Sequence, residues 1–302
     1  MPEIRPSVPA SVAFAAYLAA VIFGASVLGA VIFPFLDVVY DKVFSRALIL
    51  MAVVLLWPLA SALRLSRDEL GIATFRPPWL VWGWVGGVLL ILPPAAVMFA
   101  VGFRVLDDRV DAYTLEFGGL VVLAALSGLI VGVVEELLFR GLIHGLLRRW
   151  LGFFAAATVG SALYAVMHFL KLPEDTPVIA TPGVTAGVNV LLAGLQPLAS
   201  PLQYWDSFIS LWLLGMVLCW VRNNSGQIWI CVGLHAAFVL VIRVIKDLTV
   251  RDVVNQWAWI VGEYDHFVGH LISVWIIAIM LTMLVWRIVL ERSDHGSGVI
   301  ED

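Results

Sequence analysis

Charge is scarce in this chain of 302 residues: 13% are Asp, Glu, Lys or Arg, against roughly 25% in a typical soluble domain. Lysine stands only at Lys42, Lys171 and Lys246. So little charge excludes a soluble globular domain, and a net charge of −4 supplies no basic footprint for a nucleic-acid partner. Cysteine occurs twice, at Cys219 and Cys231, both inside apolar runs, which excludes a disulfide framework and makes each thiol a small buried hydrophobe. No sequence repeat of fixed period is visible, and no His-Glu-x-x-His zinc signature occurs.

What the chain has is apolar length. Hydrophobic residues make up 62% of it, with a mean hydropathy of +0.99. Runs near 12–35, 47–63, 79–103, 117–147, 151–170, 205–222, 226–246 and 271–291 predict about eight transmembrane helices. Helices are expected because lipid offers no partner for backbone polar groups, and no run alternates as a barrel strand does. The fold class is therefore all-α and polytopic, with residues 1–302 forming one transmembrane domain. The first run has no charge from Ser11 to Pro34, longer than the roughly 7 to 15 residues of a signal-peptide core, so a retained span is expected.

Orientation follows from basic residues. Loops near 64–76 and 148–149 are basic, with Arg64, Arg67, Arg76, Arg148 and Arg149, and an even span count puts both termini on that side, expected to be cytoplasmic. Lys42, Arg46, Arg104, Arg109, Lys171, Arg243, Lys246 and Arg251 fall in the opposite loops by this reading. Much Ala, Val and Leu with little Lys suits a bacterial inner membrane.

Two connections are unusual. Lys171 to Tyr204 starts polar, with Glu174 and Asp175, then turns apolar and Gly-rich from Val184 to Leu192, which suits an interfacial or re-entrant segment. Val250 to His270 carries Trp257, Trp259 and Tyr264, suited to a headgroup belt. His266 and His270 there have the spacing of one helical face, although no third metal ligand lies nearby and a solvated pair is the plainer reading.

The exception to the scarcity of charge is Glu135-Glu136-Leu137-Leu138-Phe139-Arg140, in the middle of an apolar run. An acidic residue at mid-membrane costs about 2.5–3.5 kcal/mol on insertion scales, so such a pair marks a functional site by default. Glu136 and Arg140, four apart, are placed to pair on one helix face. His168 and His235 also lie deep in apolar runs. Counted from the turn near Trp150, Glu136 and His168 lie roughly 21 Å and 27 Å into the membrane at 1.5 Å per residue, and His235 lies about 14 Å in from Gly226. These depths allow convergence. A glutamate pair with two imidazoles supplies a water-activating base and donors for an oxyanion, the parts that peptide hydrolysis needs.

Glu135-Glu136-Leu137-Leu138-Phe139-Arg140-Gly141, followed by His168 and His235, resembles the CPBP group of intramembrane proteases, relatives of the type II CAAX prenyl endopeptidases, over roughly residues 120 to 245. The resemblance implies an eight-helix core and glutamate-dependent proteolysis of a membrane-anchored or lipidated protein or peptide. Glu135 then activates water with help from His168, and His235 stabilises the oxyanion. Glu136 and Arg140 are assigned to tuning and positioning. No obligatory cofactor is implied, although Glu135, His168 and His235 are a ligand set that zinc accepts.

Two positions depart from the family pattern. Tyr164 stands where Phe is usual, four residues before the first histidine, and Val239 where Asn often follows the second histidine. Loss of an oxyanion donor typically costs on the order of 100-fold or more, with Asn189 or Asn223 as candidate substitutes. Serine and aspartyl mechanisms are disfavoured: neither Ser127 nor Ser225 has a dyad histidine on a defined motif, and Asp107, Asp108, Asp111, Asp247 and Asp252 read as loop residues. Val239 favours a competing class, a non-catalytic scaffold or immunity-type protein of the same fold. A proton-coupled transporter is a third, because buried Glu and His also make proton relays.

Overall fold

The computed structural model describes residues 9–108, 115–169 and 182–296. Arg109, Asp111, Lys171, Glu174 and Asp175 lie outside them. The fold is all-α and polytopic. Helices α1 (Ala10–Ile32), α2 (Tyr40–Ala62), the one-turn α3 (Arg67–Leu70) and α4 (Pro77–Ala100) lead to α5 (Leu115–Glu136). A π-helical segment, Leu137–Ile143, then joins α5 to α6 (His144–Leu147). Next come α7 (Phe153–His168), α8 (Val184–Gly194), α9 (Trp205–Ser225), α10 (Trp229–Leu248) and α11 (His270–Gly296).

Among the described residues six helical stretches are long and apolar enough to cross a membrane: 10–35, 40–62, 77–100, 117–147, 205–225 and 229–248. The runs expected at 151–170 and 271–291 are helical too, as the 16-residue α7 and as α11, which begins at His270. Large apolar side chains such as Phe23, Trp57, Leu89 and Ile130 stand exposed along the helices, as a lipid-facing surface requires.

Several charges sit differently from expectation. Lys42 and Arg46, predicted to lie in a loop, belong to the first turns of α2, which begins at Tyr40 instead of near 47. The polarity of those turns hides their helical character. Asp247 is on α10, where it pairs with Arg243 at 3.7 Å. Arg104 lies on strand β1 (Arg104–Leu106), which pairs antiparallel with β2 (Thr249–Arg251) in the register Arg104↔Arg251. Its buried guanidinium donates to Thr249 Oγ1 at 2.9 Å and to the His266 carbonyl at 3.2 Å.

Helices in lipid gain no hydrophobic drive for mutual association, so close packing of small residues takes its place. Gly128 and Gly132 form a Gly-x-x-x-Gly face on α5 against α10: a Cβ on Gly128 would stand 2.7 Å from the Ala236 carbonyl oxygen, and one on Gly132 would stand 3.0 Å from that of Val232. On the other side, a Cβ on Gly83 of α4 would overlap the Ile230 carbonyl oxygen of α10, and one on Gly87 would stand 2.7 Å from Ala237 Cβ. Thus α10, carrying His235, is clasped between α4 and α5. The apolar stretch after residue 184 folds as the short helix α8, whose Gly187 lies against Ser26 and Phe44 of α1 and α2.

Candidate active site

Glu136 ends α5, and the π segment carrying Arg140 and Gly141 follows it. Single π turns inside α-helices frequently mark functional sites, because the wider turn redirects side chains. Glu136 is fully buried and Arg140 is 1% exposed. Glu136 Oε1 accepts from Arg140 Nη1 at 3.0 Å and from His235 Nδ1 at 2.9 Å. The guanidinium carbon of Arg140 lies 4.3 Å from the centroid of the Tyr164 ring, a cation–π contact in a desolvated setting. The expected Glu136–Arg140 pair is therefore present, and α10 joins it through His235.

Glu135 faces the other way. Its Oε2 lies 3.7 Å from His235 Nε2 and 3.9 Å from His168 Nε2. Both imidazoles are anchored through Nδ1, His168 on the Tyr164 carbonyl at 3.0 Å and His235 on Glu136. A carbonyl oxygen only accepts, so His168 Nδ1 carries a hydrogen, and Nε2 is the ring nitrogen turned toward Glu135. The Tyr164 ring packs at 4.4 Å from that of His168 and 6.3 Å from that of His235, between the two.

Glu135 and His168 line a cleft of about 690 Å³, within the size range of ligand sites. Its walls include Lys42, Arg46 and Leu48 of α2, Val190 of α8, and Tyr264. Placing Lys42 and Arg46 on a cleft wall suits the rule that ionisable residues in membrane spans face cavities. Glu136, Arg140 and His235 stand behind this wall, all buried. The five candidate residues are thus together, two in front and three behind.

Other candidates lie elsewhere. Asn189 is exposed on α8 and Asn223 exposed on α9, neither on the cleft wall. Val239 meets Gly128, its Cβ 3.4 Å from where a Cβ there would stand. His266 and His270 do not share a helical face, because His266 has φ +56° and α11 starts only at His270. Cys219 and Cys231 are free and buried. Among the described residues no group of three or more His, Cys, Asp or Glu is arranged to hold a metal ion. Tyr264, assigned to a headgroup belt by its neighbours, instead turns to the cleft; its loop position holds no local signal for that.

No curated protein and no solved structure matches the chain. Residues 117–241 match the family model described as Type II CAAX prenyl endopeptidase Rce1-like. That stretch, which carries Glu135, Glu136, Arg140, His168 and His235, is where the chain is similar to this family.

Proposed function

We propose that this protein is a multi-pass intramembrane endopeptidase that cleaves a membrane-anchored or lipidated protein or peptide with water activated by Glu135. The observation that carries the reading is the placement of Glu135 Oε2 between two Nε2 atoms, at 3.7 and 3.9 Å, on the wall of the cleft. These gaps are too long for direct hydrogen bonds and suit one bridging water.

In this mechanism Glu135 takes a proton from that water, with the His168 Nε2 lone pair orienting it, and the hydroxide adds to the scissile carbonyl carbon. The oxyanion is stabilised by His235, which donates from Nε2 when the ring is doubly protonated. Glu136 balances that cation, and Arg140 holds Glu136. Collapse of the tetrahedral species breaks the C–N bond, and the proton taken up by Glu135 passes to the leaving amine. No step calls for a metal or another cofactor. Both termini are placed in the cytoplasm and the membrane is read as a bacterial inner membrane, on the loop arginines and composition described above.

Peptide termini in membranes from cells carrying the wild-type chain or Glu135→Gln at matched expression test the proposal by mass spectrometry. Termini specific to wild type are expected. Identical termini, together with undiminished cleavage of an added lipidated peptide by Glu135→Gln, sink it. Val239 supports a second reading, a non-catalytic scaffold, which is indifferent to the Glu135 substitution.

A further inference from the structure

One side chain from outside the family-matched segment reaches the same cleft. Tyr264 lines it with Glu135 and His168, and its hydroxyl donates a hydrogen bond to the backbone carbonyl of His168. We propose that Tyr264 is a positioning residue of the site, which holds the last turn of α7 so that the His168 imidazole stays aimed at Glu135. This rests on the protease reading above.

The last four carbonyls of a helix have no intrahelical donor, and His168 is the final residue of α7. Tyr264 supplies a donor from another part of the chain. The imidazole takes its direction from the same turn, because Nδ1–H is bonded to the Tyr164 carbonyl one turn back at 3.0 Å. A frayed last turn therefore loosens Nε2 relative to Glu135. The Tyr264 ring also packs on Phe169 with centroids 4.6 Å apart, next to the turn it holds.

The phenol is itself held. Asp265 accepts from the backbone N–H groups of Phe267 at 3.0 Å and Val268 at 2.7 Å, and from Lys246 Nζ at 2.9 Å. Lys246 is on α10, the helix of His235. The loop consequently references the end of one histidine-bearing helix to the other. Burial, with the Asp265 and Glu135 carboxylates nearby, pushes the Tyr264 phenol well above its ordinary range, so it remains a donor at neutral pH.

Tyr264→Phe keeps the ring and removes the donor. In the full-length purified protein, kcat is expected to fall about 10- to 100-fold with KM within about twofold of wild type, the pattern of a misaimed group and not of lost binding. The unfolding midpoint stays near wild type. Ring-nitrogen NMR of labelled histidine is expected to show His168 as one Nδ1–H tautomer in wild type and averaged in Tyr264→Phe, a readout that needs no cleavage. Wild-type kcat and an unchanged His168 signal in Tyr264→Phe overturn the proposal. Glu135→Gln run alongside separates the two ideas: an inactive Glu135→Gln beside a fully active Tyr264→Phe sinks the positioning role alone, whereas full activity in both sinks the protease reading as well. Where no substrate is cleaved even by wild type, the His168 signal decides.

Discussion

His235 Nδ1 and Glu136 Oε1 lie 2.9 Å apart, joining α10 to the end of α5 across 99 residues of sequence. That bond orients the imidazole, since fixing one ring nitrogen determines where the other points, and here Nε2 points at Glu135. His235→Gln removes the cation that the proposed mechanism places beside the oxyanion. Single-turnover cleavage is expected to slow about 100-fold or more, in the range for one lost oxyanion donor. A fall under about threefold would remove His235 from that role.

Arg140→Met leaves Glu136 buried with His235 as its remaining partner. Breaking a buried pair by removing one partner costs about 3–5 kcal/mol, because the other charge is left uncompensated. The unfolding midpoint in detergent should fall accordingly, and Glu136→Gln added to Arg140→Met should recover much of it. Glu135→Gln, on the partly exposed cleft wall, should leave the midpoint near wild type. Equal stability losses for Arg140→Met and Glu135→Gln would contradict this division into front and back rows.

Gly128→Val puts side-chain atoms where a Cβ would already be 2.7 Å from the Ala236 backbone oxygen. The helix pair has to separate, which moves His235 away from Glu136. Cleavage and thermal stability are both expected to drop. Gly118→Val is the control, since a Cβ at Gly118 meets nothing within 4 Å. Similar losses at the two positions would mean that the close approach of α5 and α10 does not hold the site.

At one end of the bundle, outside the spans, Arg149 clasps Glu69 at 2.7 Å and donates to the carbonyls of Leu63 and Arg64. Hydrogen bonding from Arg149 is the main reason the Glu69 carboxyl titrates below its ordinary value. A depressed carboxylate adds stability above its unfolded pKa of about 4.3 and loses it as pH falls through the lower folded value. Glu69 is 34% exposed, so solvent screening limits the contribution to at most about 1 kcal/mol. Unfolding midpoints of wild type and Glu69→Gln should differ above about pH 5 and converge in stronger acid.

Chelation tests the zinc alternative. With water activated by Glu135 alone, cleavage should survive prolonged treatment with phenanthroline at an unchanged rate. Loss of activity restored by added zinc would instead assign Glu135, His168 and His235 to a metal.

Legibility from sequence varied with the range of the interaction. Glu135, Glu136 and Arg140 stand out because charge inside an apolar run is costly, and the depths of His168 and His235 could be counted along their helices. The division of these residues into cleft wall and buried row could not, since it depends on helix rotation. Lys42 and Arg46 were misplaced because polarity alone does not separate a helix's first turns from a loop. His266 breaks the helical face expected of it through one left-handed residue. The Gly128 and Gly132 spacing was an available signal for the α5–α10 contact. Tyr264 had none, because its partner lies 96 residues earlier.

The small β1–β2 sheet bears on biosynthesis. Its strands, at 104–106 and 249–251, flank the stretch of chain that holds the candidate site residues. A ribosome that has released Glu135, Glu136 and Arg140 has still to make His235, the second strand and Tyr264. The nascent protein thus spends much of its insertion with the candidate site unfinished. The ladder between Arg104 and Arg251 can close only after α10 has been made, and on the protease reading proposed above no cleavage can begin before that helix supplies His235.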